Sequence, residues 1–265
     1  MRTLPIYFLL ALFLVACGSN ATTEEAVTEE ETATEETAST VTLTPMPETP
    51  SFPGAIMTQM AFEAGVFTFG VDGGADGYEL GAQTPDAEQL MCANSAKGQH
   101  IHLIVDNEPY AAKYEASFDY EIADGSHYIL AFLSRSFHES IKHDGASMAV
   151  EANVSGNSIV DADPIEDPML FYSRPKGTYV GKDAENVMLD FYPVNAELGN
   201  GYQVKVEVAG ETFMVDKWQP YFLKGLGMGE HTVTLTLLDA EGNTVDAPLN
   251  PVSRTITLAE DKGDS

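Results

Sequence analysis

Gly98-Gln-His-Ile-His-Leu-Ile-Val-Asp-Asn-Glu-Pro-Tyr110 can be laid over Gly201-Tyr-Gln-Val-Lys-Val-Glu-Val-Ala-Gly-Glu-Thr-Phe213 without a gap. In the later copy Val204, Val206 and Val208 alternate with Gln203, Lys205 and Glu207. That is the period of a strand with one face on a core and the other in water. A second pair of runs matches further on, Asp124-Gly-Ser-His-Tyr-Ile-Leu-Ala-Phe-Leu133 with Met228-Gly-Glu-His-Thr-Val-Thr-Leu-Thr-Leu237. Upstream, Tyr78-Glu-Leu-Gly81 and Tyr179-Val-Gly181 stand at similar offsets. The chain therefore reads as a tandem duplication, with domains at 52–160 and 165–262 joined by an Asp- and Pro-bearing stretch. Long helical periodicity is scarce, and short alternating runs end in Gly, Asn, Asp and Pro. The expected fold is all-β, two consecutive β-sandwiches.

The run Gly229-Glu-His-Thr-Val-Thr-Leu-Thr-Leu-Leu-Asp-Ala-Glu-Gly-Asn243 resembles bacterial immunoglobulin-like modules, in which Gly-x-His leads a strand that ends in Asp-x-x-Gly-Asn. The resemblance implies an immunoglobulin-like sandwich and says nothing about activity, since function resides in sites rather than folds.

The first copy departs from the second where chemistry can sit. Carrying the phase across puts Ile101, Leu103 and Val105 in the core. His100 and His102 then take the outward positions of Gln203 and Lys205. Two histidines at i and i+2 share a strand face and can chelate one ion, and neutral imidazole suits zinc or copper. His127 has a counterpart in His231, so both read as structural hydrogen-bonding residues. His138 and His143 have none, and His138 is taken as the third candidate ligand. The His-x-His pattern also recurs in cupins and copper–zinc dismutases. Cupins want a glutamate three or four residues after the second histidine, and Glu108 comes too late. The dismutase pattern needs a disulfide that one mature cysteine cannot form.

The second departure is Phe132-Leu-Ser-Arg-Ser-Phe-His-Glu-Ser-Ile-Lys-His143, where the later copy has a plain turn. It gathers Arg135 and Lys142 with serine donors, a candidate anion-binding pair. Glu139 is the one nearby carboxylate available as a general base should the site be a metal-dependent enzyme. Tyr128, Leu130 and Phe132 form an outward apolar stripe, expected to pack on the second domain or on a partner protein. Ser173-Arg-Pro-Lys-Gly-Thr-Tyr179 is a second basic cluster, read as an exposed turn at the domain junction. Cys92, Met57, Met60 and Trp218 are expected in the cores.

Leu14-Val15-Ala16-Cys17 closes a short apolar run that begins after Arg2. It resembles the lipobox of bacterial lipoproteins. The resemblance implies a signal peptide at 1–16, lipidation of Cys17 and membrane attachment through lipid. No Asp follows the cysteine, so outer-membrane residence is expected, on the periplasmic or cell-surface side. Residues 17–51 are rich in Thr, Glu, Ala and Pro and read as a disordered acidic linker. The formal net charge is −28. Removing the eight linker glutamates and Arg2 still leaves 33 acidic against 12 basic residues, which excludes a nucleic-acid partner.

Gly98-Gln-His-Ile-His-Leu-Ile-Val-Asp106 together with the 132–143 block resembles a group of uncharacterised Bacteroidota outer-membrane lipoproteins, some labelled phosphopeptide-binding. The resemblance spans most of residues 60–260 and implies lineage more than activity. The function expected is binding rather than catalysis, with a metal or anion site on the first domain. A purely structural, adhesion-like module and a metal-dependent enzyme are the alternatives.

Overall fold

The computed structural model describes residues 40–85, 87–90 and 92–262. The signal peptide, Cys17 and the linker as far as residue 39 lie outside the described residues. Among those described there is no α-helix, only three short 3-10 turns, and the chain is all-β as expected.

The first sandwich sets β2 (Ile56–Glu63), β3 (Val66–Asp72) and β6 (Ser117–Asp119) against a five-stranded sheet. That larger sheet runs β5 (Ala111–Lys113), β4 (His100–Val105), β7 (Gly125–Ser134), β8 (Ser147–Ser155), β9 (Ser158–Pro164). In the second sandwich one sheet runs β1 (Thr42–Pro45), β15 (Tyr221–Lys224), β12 (Val187–Val194), β10 (Met169–Arg174). Its partner runs β11 (Gly177–Val180), β17 (Val252–Ala259), β16 (Gly229–Leu238), β13 (Gln203–Val208), β14 (Glu211–Val215).

The duplication is visible in the pairing register. His100 faces Ser134 and Val105 faces Ile129 across β4 and β7. The aligned residues of the second copy, Gln203 with Leu238 and Val208 with Val233, face each other across β13 and β16. Even the paired histidines agree. His127 Nε2 lies 2.9 Å from Ala123 O, and His231 Nε2 lies 2.6 Å from Gly227 O, each four residues back.

Each sandwich has its own core. Ile101, Leu103, Ile129, Ala131 and Leu133 meet Phe62, Phe67 and Phe69 in the first, while Val204, Val206, Val233 and Leu235 meet Val187, Leu189 and Leu223 in the second. A third apolar layer lies between the sandwiches. Ile104, Leu130 and Phe132 from β4 and β7 pack on Met169, Phe171 and Tyr192 from β10 and β12. Phe132 and Tyr192 are stacked 5.3 Å apart. The four sheets thus form one continuous stack, and every residue of β4 is buried.

One expectation changes here. The linker does not extend to residue 51 as unstructured chain. Val41 and Leu43 alternate with threonines and pack on the second core, so β1 adds an edge strand to β15, with Pro45 at an edge where its missing N–H costs nothing. The second domain therefore begins before the first in sequence. The Tyr128, Leu130 and Phe132 stripe packs on the second sandwich, the first of the two alternatives expected for it. Leu130 and Phe132 are fully buried against the second sandwich, and Tyr128 packs at the edge of the same cluster.

Because that middle layer belongs to both sandwiches, Trp218 fluorescence and far-UV circular dichroism should follow a single urea transition. Phe132→Ala is expected to lower its free energy by about 3–5 kcal/mol. Two resolved transitions would mean that the sandwiches unfold independently.

Candidate metal centre

β4 places His100 and His102 on its outer face, as the alternation requires. That face is covered by the second sandwich, so both imidazoles are fully buried rather than outward in water. His138 arrives from the block after β7. Arg135 N donates to Glu139 O and His138 N to Arg135 O, closing a tight turn in which His138 has φ 74°. A non-glycine residue in the left-handed region is strained unless its surroundings hold it. Here the turn aims its ring at β4.

Three imidazole nitrogens converge. His100 Nε2 is 2.8 Å from His102 Nε2 and 3.0 Å from His138 Nδ1, and the three candidate ligand atoms all lie within 4.8 Å of one another. In a tetrahedral site with metal–nitrogen bonds near 2 Å, the nitrogens stand about 3.3 Å apart. Small ring rotations would open this cluster around an ion.

Proton accounting sharpens the point. His100 Nδ1 lies 2.8 Å from Gly98 O, so it carries the hydrogen, and in the neutral ring Nε2 is a bare acceptor. One lone pair cannot take two linear donors from His102 and His138. Without an ion, one of the contacts is lone pair on lone pair or a distorted shared hydrogen bond. The outer nitrogen of His102 is 3.3 Å from Ser173 Oγ, a partner of the kind that orients metal-bound histidines.

The rings are neutral. Burial pushes His100 down to about 4, helped by the nearby charges of Arg174 and Lys176. His102 and His138 are held well below the ordinary value, first by burial and then by the other histidines and the same cations.

Sequence reasoning missed half of the shell. Tyr110 stacks on His102, with centroids 3.6 Å apart and planes at 9°, and its Oη is 3.2 Å from His138 Nδ1. Arg174 is not part of an exposed turn but is buried, and its Nε donates to Tyr110 Oη at 3.1 Å. Lys176 Nζ donates to Tyr110 O at 2.7 Å, and burial followed by repulsion from Arg174 and Arg254 pushes its pKa down to about 8. The available signal was the basic run Ser173-Arg-Pro-Lys-Gly-Thr-Tyr179 at the domain junction, together with Tyr110 at the end of the histidine-bearing run. Tyr114 closes the other side, 4.9 Å from the His100 ring, and lines a surface cavity of about 580 Å³. A larger cavity of about 890 Å³ at Gly65, Tyr120 and Asn157 shares no residue with the triad.

The candidate anion pair is committed elsewhere. Arg135 Nε and Nη2 donate to Pro50 O, Nη1 donates to Ser140 O, and Glu139 lies 3.6 Å away. Lys142 Nζ donates to Asp190 Oδ1 at 2.7 Å, and Asp190 Oδ2 accepts from Ser140 N. Both cations clamp the 134–143 block to the chain. Glu139 accepts from Thr49 Oγ1 at 2.7 Å and is not aimed at the triad. His143 lies 3.3 Å from Phe52 O, outside the cluster. Cys92 is buried beside Phe137 and Met188, and burial raises its thiol to about 11, which leaves it an inert core residue.

No protein-family model matches the chain, and no curated protein is similar to it. Among solved structures, it is similar to fibronectin(III)-like modules of CbhA from Clostridium thermocellum, at 16% identity and TM-score 0.29 over 36% of this chain and 100% of that one. It is also similar to the extracellular domain of the putative hybrid two component system BT3049 from B. thetaiotaomicron, at 11% identity and TM-score 0.29 over 77% of this chain and 38% of that one. A third, the Bacteroides ovatus protein SGBP-B in complex with a mixed-linkage heptasaccharide, is 10% identical with TM-score 0.20, over 83% of this chain and 70% of that one. Nothing about ligand or activity follows from these likenesses.

All three histidines bind protons more weakly in the folded chain than when unfolded. Above their ordinary pKa of 6.5 they cost the fold nothing through protonation. As pH falls below 6.5 the unfolded chain takes up protons that the native site refuses. Stability should therefore drop by about 1.4 kcal/mol per pH unit for each titrating histidine. The melting temperature is expected to be level above pH 7 and to fall between pH 6.5 and 4. A His100→Gln/His102→Gln variant should show a flatter profile, measured by calorimetry across that range.

Proposed function

We propose that the chain is an envelope lipoprotein of the Bacteroidota type that binds one d-block metal ion, zinc or copper, between two immunoglobulin-like sandwiches, without catalytic turnover. The lipobox ending in Cys17 supports tethering to the outer membrane, on its periplasmic or surface side. The observation that carries the metal reading is the convergence of His100 Nε2, His102 Nε2 and His138 Nδ1, with the His100 tautomer set by Gly98 O so that its lone pair faces the other two. Three neutral nitrogen donors suit zinc and copper and disfavour calcium or magnesium, which prefer oxygen.

Burial favours binding over catalysis. His100 and His102 are closed to solvent, and Glu139, the carboxylate nearest in sequence, is held by Thr49 and Arg135. A hydrolytic site needs an open coordination position and a free base, and the burial of two of the three histidines and the commitment of Glu139 support the binding reading over that one.

The full chain, purified without a histidine tag, would be exposed to zinc(II) or copper(II), desalted, and assayed by inductively coupled plasma mass spectrometry. About one ion per chain is expected for wild type, and none for His100→Ala/His102→Ala. Metal at 100 times its dissociation constant should also add about 2.7 kcal/mol to wild-type stability alone. If neither protein retains metal, the histidines are a polar core and the chain is an interaction module.

A further inference from the structure

We propose that the guanidinium of Arg174, together with the ammonium of Lys176, binds a doubly charged tetrahedral oxyanion of the phosphate or sulfate class at the junction of the two sandwiches. The inference goes beyond the metal reading and does not need it, because the charge of Arg174 is present whether or not the histidines hold an ion.

The three buried arginines among the described residues show what sets this one apart. Arg135 donates from Nε and Nη2 to Pro50 O and from Nη1 to Ser140 O, with Glu139 3.6 Å away. Arg254 donates from Nη1 to Ser173 O and from Nη2 to Asn107 O. Arg174 makes a single hydrogen bond, from Nε to Tyr110 Oη at 3.1 Å. Its Nη1 is buried without a partner. The rings of Tyr179 and Tyr110 lie 5.6 Å and 6.0 Å from its central carbon, but an aromatic face leaves the outer N–H groups unspent. That outer edge is the part of an arginine that grips two oxygens of one anion.

The charge balance agrees. In a chain of formal net charge −28, none of the described carboxylates pairs with Arg174, Lys176 or Arg254. Arg174 and Lys176 instead converge on one neutral residue: Lys176 Nζ donates to Tyr110 O and stands 3.8 Å from the ring centroid. Buried cations without counter-charge are unfavourable. A dianion cancels both charges, whereas a single carboxylate cancels one. The place is reachable, since Lys176 is half-buried and Gly177 and Thr178 after it are exposed. Acidic residues elsewhere on the surface are screened beyond about 8 Å at physiological salt and do not bar entry.

The full chain, stripped of metal with a chelator, would be titrated calorimetrically at pH 7 and constant ionic strength with sulfate, inorganic phosphate, acetate and phenyl phosphate. One sulfate or phosphate per chain is expected, bound about tenfold or more tighter than acetate. Arg174→Gln should weaken that binding about tenfold or more, and Lys176→Met about threefold. Should Arg174→Gln fail to fold by circular dichroism, Lys176→Met decides, because it alters a half-buried residue. Phenyl phosphate bound as tightly as phosphate supports a site for the end of a larger ligand, and its rejection supports one for the free ion. No saturable binding to wild type, acetate bound as tightly as sulfate, or affinity unchanged in the folded variants would overturn the inference. With metal absent throughout, each of these outcomes leaves the histidine site to be judged by its own experiment.

Discussion

The structure depends on one contact, the packing of the outer face of the first sandwich's large sheet against the second sandwich. A sheet in a lone sandwich has a wet face and a dry face. Here Leu130 and Phe132 meet Phe171 and Tyr192, and the wet face is lost. Every group on that face must then be apolar, paired, or bound to something. Ile104 meets the requirement by packing. Asn107 meets it by mimicking a strand partner, accepting from Tyr172 N and donating to Leu170 O. Arg254 reaches across with bonds to Ser173 O and Asn107 O. His100 and His102 share the face; His100 Nδ1 is met by Gly98 O and His102 by the Tyr110 ring, and the remaining nitrogens converge with His138.

Polar groups enclosed this way are costly when half satisfied. The 134–143 block shows how the chain manages that cost where no ligand is involved. Lys142, Ser140 and Asp190 form a closed set that crosses the junction, with Asp190 fully buried and both of its oxygens bonded. Arg135 spends its fork on backbone carbonyls. Beside this closed set the triad stands out. Its contacts cannot all be linear hydrogen bonds, and Arg174 Nη1 beside it has no hydrogen-bond partner among the described residues.

Much of this was legible in the sequence. The repeat alignment placed β4 over β13 and β7 over β16 with the register that the pairing has, and it separated His127 from His100 because only the former has a counterpart. Alternation told which face each residue occupies. It could not tell what covers the face, since an outward strand position looks the same whether water or a second sheet lies against it. Hence His100 and His102 read as exposed, and Arg174 as a residue of an open turn. The one cue was the stripe of Tyr128, Leu130 and Phe132, an apolar surface that a solvated sheet would not keep. Alternation was equally silent on the partners of Arg135 and Lys142: basic residues in an acidic chain suggest an external anion, and in the fold Asp190 and two carbonyls lie against them. The strand at 42–45 was hidden by its acidic surroundings, where four residues of alternating Thr and apolar side chains are too short a signal against the linker's composition.

The arrangement also explains why the site belongs to the pair of sandwiches and not to either copy. The histidines come from β4 and the turn after β7, while Ser173, Arg174 and Lys176 come from β10 and the turn that follows it. A bulge between Tyr172 and Arg174 shifts the register of β10 on β12. Such a bulge re-aims the side chains beyond it, and Arg174 turns toward Tyr110 in the junction. Duplication alone would yield two equivalent strands, Gln203 and Lys205 facing water on the second copy as His100 and His102 would on the first. Folding one copy's outer face onto the other makes the two unequal. The face that became interior could then acquire residues that water would have made unremarkable, and whose imidazoles burial holds neutral.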